Sequence, residues 1–186
     1  DALSRLEIEG AVVRKQGSGT FVNKPMLQIH TRLDEIWSYE AMLRAHGFTP
    51  STQVLESRVV DSDTSDISGP FGESFSGDLL LVRKLFLEDD RPVILTCNYL
   101  PQQLINRPYP EEDVALPIYE FLELFGASQL SYYLTEIVPQ TASVDVASAL
   151  AIEPGTALIA FDETGYDEAN QPILRALSYF RDDLLR

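Results

Sequence analysis

Hydrophobic and polar positions repeat along this chain with two different periods, and the change from one to the other separates its elements. Leu79 to Leu87 and Val93 to Tyr99 are dense in β-favouring residues on either side of Glu88-Asp89-Asp90-Arg91, a strong hairpin pattern. Pro92 is tolerated where the second of these strands begins. Val54 to Val60 and Leu130 to Val138 predict further strands, and Glu153-Pro154-Gly155 turns the chain into a last pair, Ala157–Tyr166 and Pro172–Arg181. A helical period replaces this at Ile118, Phe121, Leu122 and Phe125, which predicts a helix buried on one face and closed by Gly126. Ile36, Tyr39 and Leu43 have the same spacing, with Asp34 as the expected N-cap, an end at Arg44 or Ala45, Gly47 as the stop and Pro50 beyond it. Ser143 is expected to cap a short helix through Leu150.

The last strand pair echoes the first hairpin. Both run strand, acidic turn, proline, strand, with Tyr99 seven residues after Pro92 and Tyr179 seven after Pro172. Two similar hairpins in one antiparallel sheet follow, with helices expected on one side, an α+β arrangement and not a βαβ one. Asn23–Thr31, which contains Pro25, reads as a linker. Asp61–Asp78, rich in Ser, Asp and Gly, reads as a long loop of the sort that is either functional or disordered.

The first residues follow a separate plan. Ala2, Leu3, Leu6 and Ile8 fit a short helix that stops at Gly10, and Ala11–Lys15 and Thr20–Val22 fit two short strands. Gly17 and Gly19 supply the positive φ that the turn between them needs. A helix followed by a basic hairpin with a small tip has the form of a winged helix. Gly17, Ser18, Gly19 and Thr20 could enter a minor groove while Arg14 and Lys15 lie near phosphates.

Charge at first opposes that reading, because the 186 residues carry a net −15. Its distribution resolves the conflict. Residues 1–25 hold four bases against three acids, a net +1, which leaves −16 for the rest. An acidic body that touches no DNA is therefore joined to a small segment that can. A hydrophobic content of 45% suffices for a packed core, and no apolar run approaches the roughly 20 residues of a membrane span. The chain opens without a signal-peptide pattern and on Asp1, not methionine, inside a predicted helix, so it is expected to lack its natural beginning. Cys97 is the only cysteine, which excludes internal disulfides and suits a cytoplasmic location.

Catalytic chemistry is sparse. His30 and His46 have no partner visible in sequence, and Cys97 sits among apolar neighbours as a small buried residue would. No HExxH, CxxC, P-loop or GxSxG pattern occurs, and Asp89-Asp90 and Asp182-Asp183 read as turn and surface charge. No catalytic residue, metal site or cofactor is expected.

Two resemblances add to this. Ala2-Leu3-x-x-Leu6-x-x-x-Gly10 followed by Arg14-x-Gln16-Gly17-x-Gly19-Thr20-Phe21-Val22 resembles the end of a GntR-family DNA-binding domain, where the tail of the recognition helix meets the wing. Farther on, the chain resembles a UTRA domain, the effector-binding module of that family's HutC branch. The residues that carry this are Leu43-x-x-x-Gly47-x-x-Pro50, Asp89-x-x-Pro92-Val93, Tyr119-x-x-Leu122-x-x-x-Gly126, Glu136-Ile137, Leu150-x-Ile152-x-x-Gly155, Tyr166-Asp167 with Pro172-Ile173, and Arg181-x-Asp183. The resemblance implies residues 1–25 as the remnant of a winged helix-turn-helix, 26–33 as linker and 34–186 as the UTRA domain. It also implies a chorismate-lyase-like antiparallel sheet with flanking helices, a small-molecule effector, a homodimer and operator DNA as partner, with no membrane. The chain then reads as part of a transcriptional repressor.

The same resemblance places the effector site. Family members that sense sugar phosphates carry two arginines on the strand before Asp-x-x-Pro, at positions held here by Lys84 and Phe86, with Arg83 available only on the other face of the strand. The expected acid after the proline is Thr96, the serine before Tyr119 is Pro117, the later glutamate is Leu174 and the tyrosine beyond it is Phe180. A phosphate among such groups would leave charge unpaired at a cost of several kcal/mol. The effector is therefore expected not to be a sugar phosphate but a more apolar molecule, with one acidic or polar end met by Lys84, Thr96 or Tyr119. The plainer readings are that Phe86, Leu174 and Phe180 fill core and that Arg83 and Lys84 lie on a solvated strand face. A chorismate-lyase-like enzyme and a ligand-free dimerisation module are the functional alternatives.

Overall fold

The structure, a computed structural model, describes residues 2–8, 12–15, 17, 19–22, 38–61 and 77–181. The chain divides into two compact units, Asp1–Gly47 and Phe48–Arg186. The linker expected over 26–33, most of the loop expected over 61–78, and His30, Ser18 and Asp182-Asp183 lie outside the described residues.

In the first unit, α1 (Ala2–Ile8) precedes a hairpin of β1 (Val12–Lys15) and β2 (Gly19–Val22), and α2 covers Tyr39–Ala45. Gly17 and Gly19 have φ of 78° and 110°, so the turn uses the freedom that only glycine has without strain. Asp34 and Ile36, expected at the start of this helix, lie outside the described residues, and the described helix α2 is capped by another residue. Ser38 holds that place with extended dihedrals of −139° and 120°, and its hydroxyl accepts the Ala41 N–H at 3.3 Å. Both residue types cap well, and the one adjacent to the first helical turn takes the role.

The second unit is built on a six-stranded antiparallel sheet. Its strands are β3 (Pro50–Asp61), β4 (Asp78–Glu88), β5 (Arg91–Pro101), β6 (Tyr132–Thr141), β7 (Ala157–Tyr166) and β8 (Pro172–Phe180), in the order β3-β4-β5-β8-β7-β6. Asp89 and Asp90, with φ of 47° and 67°, form the tight turn between β4 and β5. The echo seen in sequence becomes geometric here. β5 and β8 lie side by side, Tyr99 facing Arg175 and Tyr179 facing Leu95, with the Cys97–Leu177 pair at the centre. Both hairpins slip register beside their proline, at Phe86/Leu87 and Gly165/Tyr166.

Helices cover both faces of this sheet, not one side as expected. α3 (Ile118–Phe125) packs Phe121 against Leu80 and Val82, and Leu122 against Leu100 and Leu174. α4 (Val144–Leu150) packs Val146, Ala147 and Leu150 against Leu85, Leu95 and Leu158 on the opposite face. The physical reason lies in β4, where Leu79, Leu80, Leu81 and Val82 are all buried. A continuous apolar run belongs to a strand covered twice. Each fully buried aliphatic or aromatic side chain is worth about 1.5–3 kcal/mol.

Gly126 ends α3 by proximity and not by unusual dihedrals. Its φ is −83°, and its amide donates to Leu122 O at 2.8 Å. A methyl placed there would stand 2.5 Å from Leu122 O and 3.1 Å from Ser128 O, both backbone atoms. Gly126→Ala is expected to lower stability by about 2–3 kcal/mol in urea unfolding. A loss within error would show that the loop yields.

Candidate functional site

The buried sheet face under α3 carries polar groups where packing alone would place apolar ones. Strand alternation sets Lys84, Thr96 and Ser178 in one row, directly paired across β4, β5 and β8. All three are at most 3% exposed. Lys84 donates from Nζ to Leu116 O, just ahead of α3. Asn98, one pleat along, donates from Nδ2 to Thr96 Oγ1 at 3.2 Å and to Val82 O at 3.4 Å. On the other side of the row lie Phe86, Ile94 and Phe180, also paired across the same strands. Phe161 closes the row next to Ser178, its ring 4.5 Å from that of Phe180. The site is thus a strip of hydroxyl, amide and ammonium groups walled by aromatic rings. Buried polar groups of this density require partners.

Four of the sequence-predicted residues meet here: Lys84, Phe86, Thr96 and Phe180. Tyr119 sits in the first turn of α3, half-buried, and its hydroxyl donates to Glu120 Oε1 at 3.0 Å. Leu174 shares the face but packs with Leu100, Leu122 and Ile173 beneath α3. Arg83 points to the other face, where it pairs with Glu56 at 3.5 Å and Asp145 at 2.5 Å. Ser178 and Asn98 were not foreseen. The signal for Ser178 was available, since it is the one serine of β8 and alternation sets it on the same face as Phe180.

The face under α4 has its own ionic pattern. Arg175 is paired with Asp162, and Arg58 with Glu56, whose carboxyl is held below its usual range chiefly by the Arg58 hydrogen bond. Burial raises the Cys97 thiol, with Arg83 opposing, so the residue is not a ready thiolate. Burial also pushes the Tyr99 phenol from 10.0 to about 12 and raises Tyr179 and, on the α3 side, Tyr133. A raised phenol pKa favours the protonated form in the folded chain. The corresponding stability is complete below the ordinary 10.0 and is lost as pH climbs toward about 12. Urea midpoints should therefore fall across that interval, and a flat profile would contradict the burial of these rings.

A separate cleft of about 520 Å³ opens beside the bulge at Leu55, lined by Val54, Glu56, Ser57, Glu111 and Glu112. None of the predicted site residues lines it. Among the described residues no group of three or more His, Cys, Asp or Glu is placed to hold a metal ion, and no helix is long and apolar enough to cross a membrane.

In the hairpin of the first unit, Arg14 reaches back to α1, pairing with Glu7 at 3.2 Å and donating to Ser4 Oγ at 3.3 Å. Lys15 Nζ stands 5.8 Å from the centre of the Phe21 ring. Arg14, Lys15, Gly17, Gly19 and Thr20 are all exposed at the surface.

Comparison with known proteins agrees with this architecture. The UTRA domain family matches residues 45–186. The chain is 25% identical over 182 residues to the HTH-type transcriptional repressor NagR of Bacillus subtilis, covering 98% of this chain and 73% of that one. PhnF from Mycobacterium smegmatis superposes with a TM-score of 0.70 at 20% identity, covering 100% of this chain and 80% of PhnF. The possible transcriptional regulator YydK of Bacillus subtilis does so at 0.70 and 17%, covering 100% and 78%. The two structural matches speak for the fold.

Proposed function

Because the chain belongs to the UTRA domain family, matched over residues 45–186, we propose that it is the sensor-bearing part of a GntR-family transcriptional repressor of the HutC branch. In this reading residues 1–25 are the end of a winged helix-turn-helix, 26–33 the linker and 34–186 the sensor. Arg14, Lys15 and the tip from Gly17 to Thr20 then lie toward operator DNA. The protein acts as a homodimer in the cytoplasm, without a cofactor and without turnover. An effector that binds one dimer conformation better than the other biases the spacing of the DNA-binding heads, and so changes operator affinity without touching DNA.

The observation that carries the effector reading is the buried row of Lys84, Thr96 and Ser178 against Phe86, Phe161 and Phe180. One ammonium, two hydroxyls and three aromatic rings suit an acid with an apolar body. A phosphate needs more donors than this row offers, and bidentate ones by preference. Arg83 is on the opposite face in ion pairs of its own, which supports leaving it out of the site. Tyr119 stands at the rim of this proposal and Leu174 behind it.

A thermal-shift comparison tests the reading. Small carboxylic acids with aromatic or aliphatic bodies should raise the melting temperature, and phosphorylated sugars should not. Stabilisation by a sugar phosphate alone would sink it. Conversion of chorismate under the same conditions would favour the lyase alternative.

A further inference from the structure

The two outer strands of the sheet are β3 and β6, and they are built differently. β3 carries Glu56, Arg58 and Asp61 and sets Ser51, Gln53 and Ser57 among its apolar residues. Over Tyr132–Thr141, β6 has only Glu136 as a charge. Apolar side chains stand out from β6 on both faces. Leu134 is 59% and Tyr132 41% exposed on the α4 side, while Ile137 is 57% exposed on the α3 side, next to Ile159 of β7 at 43%. A long, nearly uncharged apolar edge is the kind that accepts another strand. Pro139, which has no N–H, limits the stretch that can donate to residues ahead of it.

We infer that β6 pairs antiparallel with β6 of a second copy of this chain, about a twofold axis close to Thr135, and that this seam joins the homodimer. The inference rests on the homodimer reading above and assigns its interface. Three features select a second copy over another partner. An antiparallel strand paired with itself is inherently twofold, the closed symmetry of most homodimers. With the axis at Thr135, Tyr133 lies opposite Ile137 and Leu134 opposite Glu136, so the two Glu136 carboxylates do not face each other. A chain of net −15 can approach its own copy closely only through a region poor in charge, and β6 is such a region. Apolar surface from both faces of each β6 is then covered together with the outward edge of the strand.

Sedimentation of the chain as it stands tests this. The wild type should be a dimer, and the double variant Leu134→Glu with Ile137→Glu a monomer with unchanged far-UV circular dichroism. Val59→Glu, a matched charge on the β3 edge, should leave the dimer intact. Independently, Thr135→Cys placed in a Cys97→Ser background should form a disulfide-linked dimer on mild oxidation. A dimer that survives the double variant, or a Thr135→Cys variant that does not cross-link, overturns the seam and leaves the homodimer reading standing. A wild type that is monomeric at every concentration overturns both.

Discussion

Phe180→Ala is expected to remove about 3–5 kcal/mol of stability, the usual cost of deleting a buried aromatic ring. Phe180 is fully buried on β8, between Ile94 and Ile159 on the neighbouring strands, with the Phe161 ring 4.5 Å away at 51°. Close-packed interiors collapse only partly around such a gap. Urea unfolding gives the number directly, and a loss below about 1 kcal/mol would mean that the ring does not hold the core. The same variant separates two roles. If Phe180 also walls the effector site, the stabilisation that an aromatic acid confers will change with it; if the ring only fills core, that increment will be the same in both proteins.

Lys84→Met should behave in the opposite way. The substitution keeps an unbranched side chain of similar length and removes a charge from a fully buried position, where it is costly to hold. Stability should change by no more than about 1–2 kcal/mol, mainly because Leu116 O loses its donor. Stabilisation by carboxylic acids, worth about 2.7 kcal/mol at a hundredfold excess over Kd, should vanish. A variant that loses far more stability than this, yet is stabilised by carboxylic acids as much as the wild type is, would make Lys84 a structural residue.

How far these residues could be read in advance depended on which interaction decides their place. Turn chemistry is local, so the Asp89-Asp90 turn, the Ser143 cap and the bounds of β7 followed from neighbouring residues alone. β3 was expected to be shorter, because it opens on the polar run Ser51-Thr52-Gln53 after Pro50, which pairing with Phe86, Leu87 and their neighbours on β4 keeps extended. The helices were expected on one side because each apolar stripe was considered singly. The unbroken apolar run of β4 already called for cover on both faces. At the candidate site, alternation correctly separates Arg83 from Lys84. Ser178 and Asn98 were missed because their value lies in cross-strand neighbours on β5 and β8, far apart in sequence. The opposite holds for Leu174, whose match to a family position says nothing of the α3 side chains packed above it.

The meeting of β5 and β8 has a kinetic meaning as well. β3, β4 and β5 pair with near neighbours in sequence, and so do β6, β7 and β8; only the β5–β8 seam, from Ile94–Phe180 to Tyr99–Arg175, links the two sets. Each set closes loops shorter than the one the seam must close before any of its contacts form. Non-local pairing of this kind sets folding speed. The two three-stranded halves can thus assemble early and separately, and their joining at Cys97 and Leu177 becomes the slow event that completes both the sheet and the buried polar row across it.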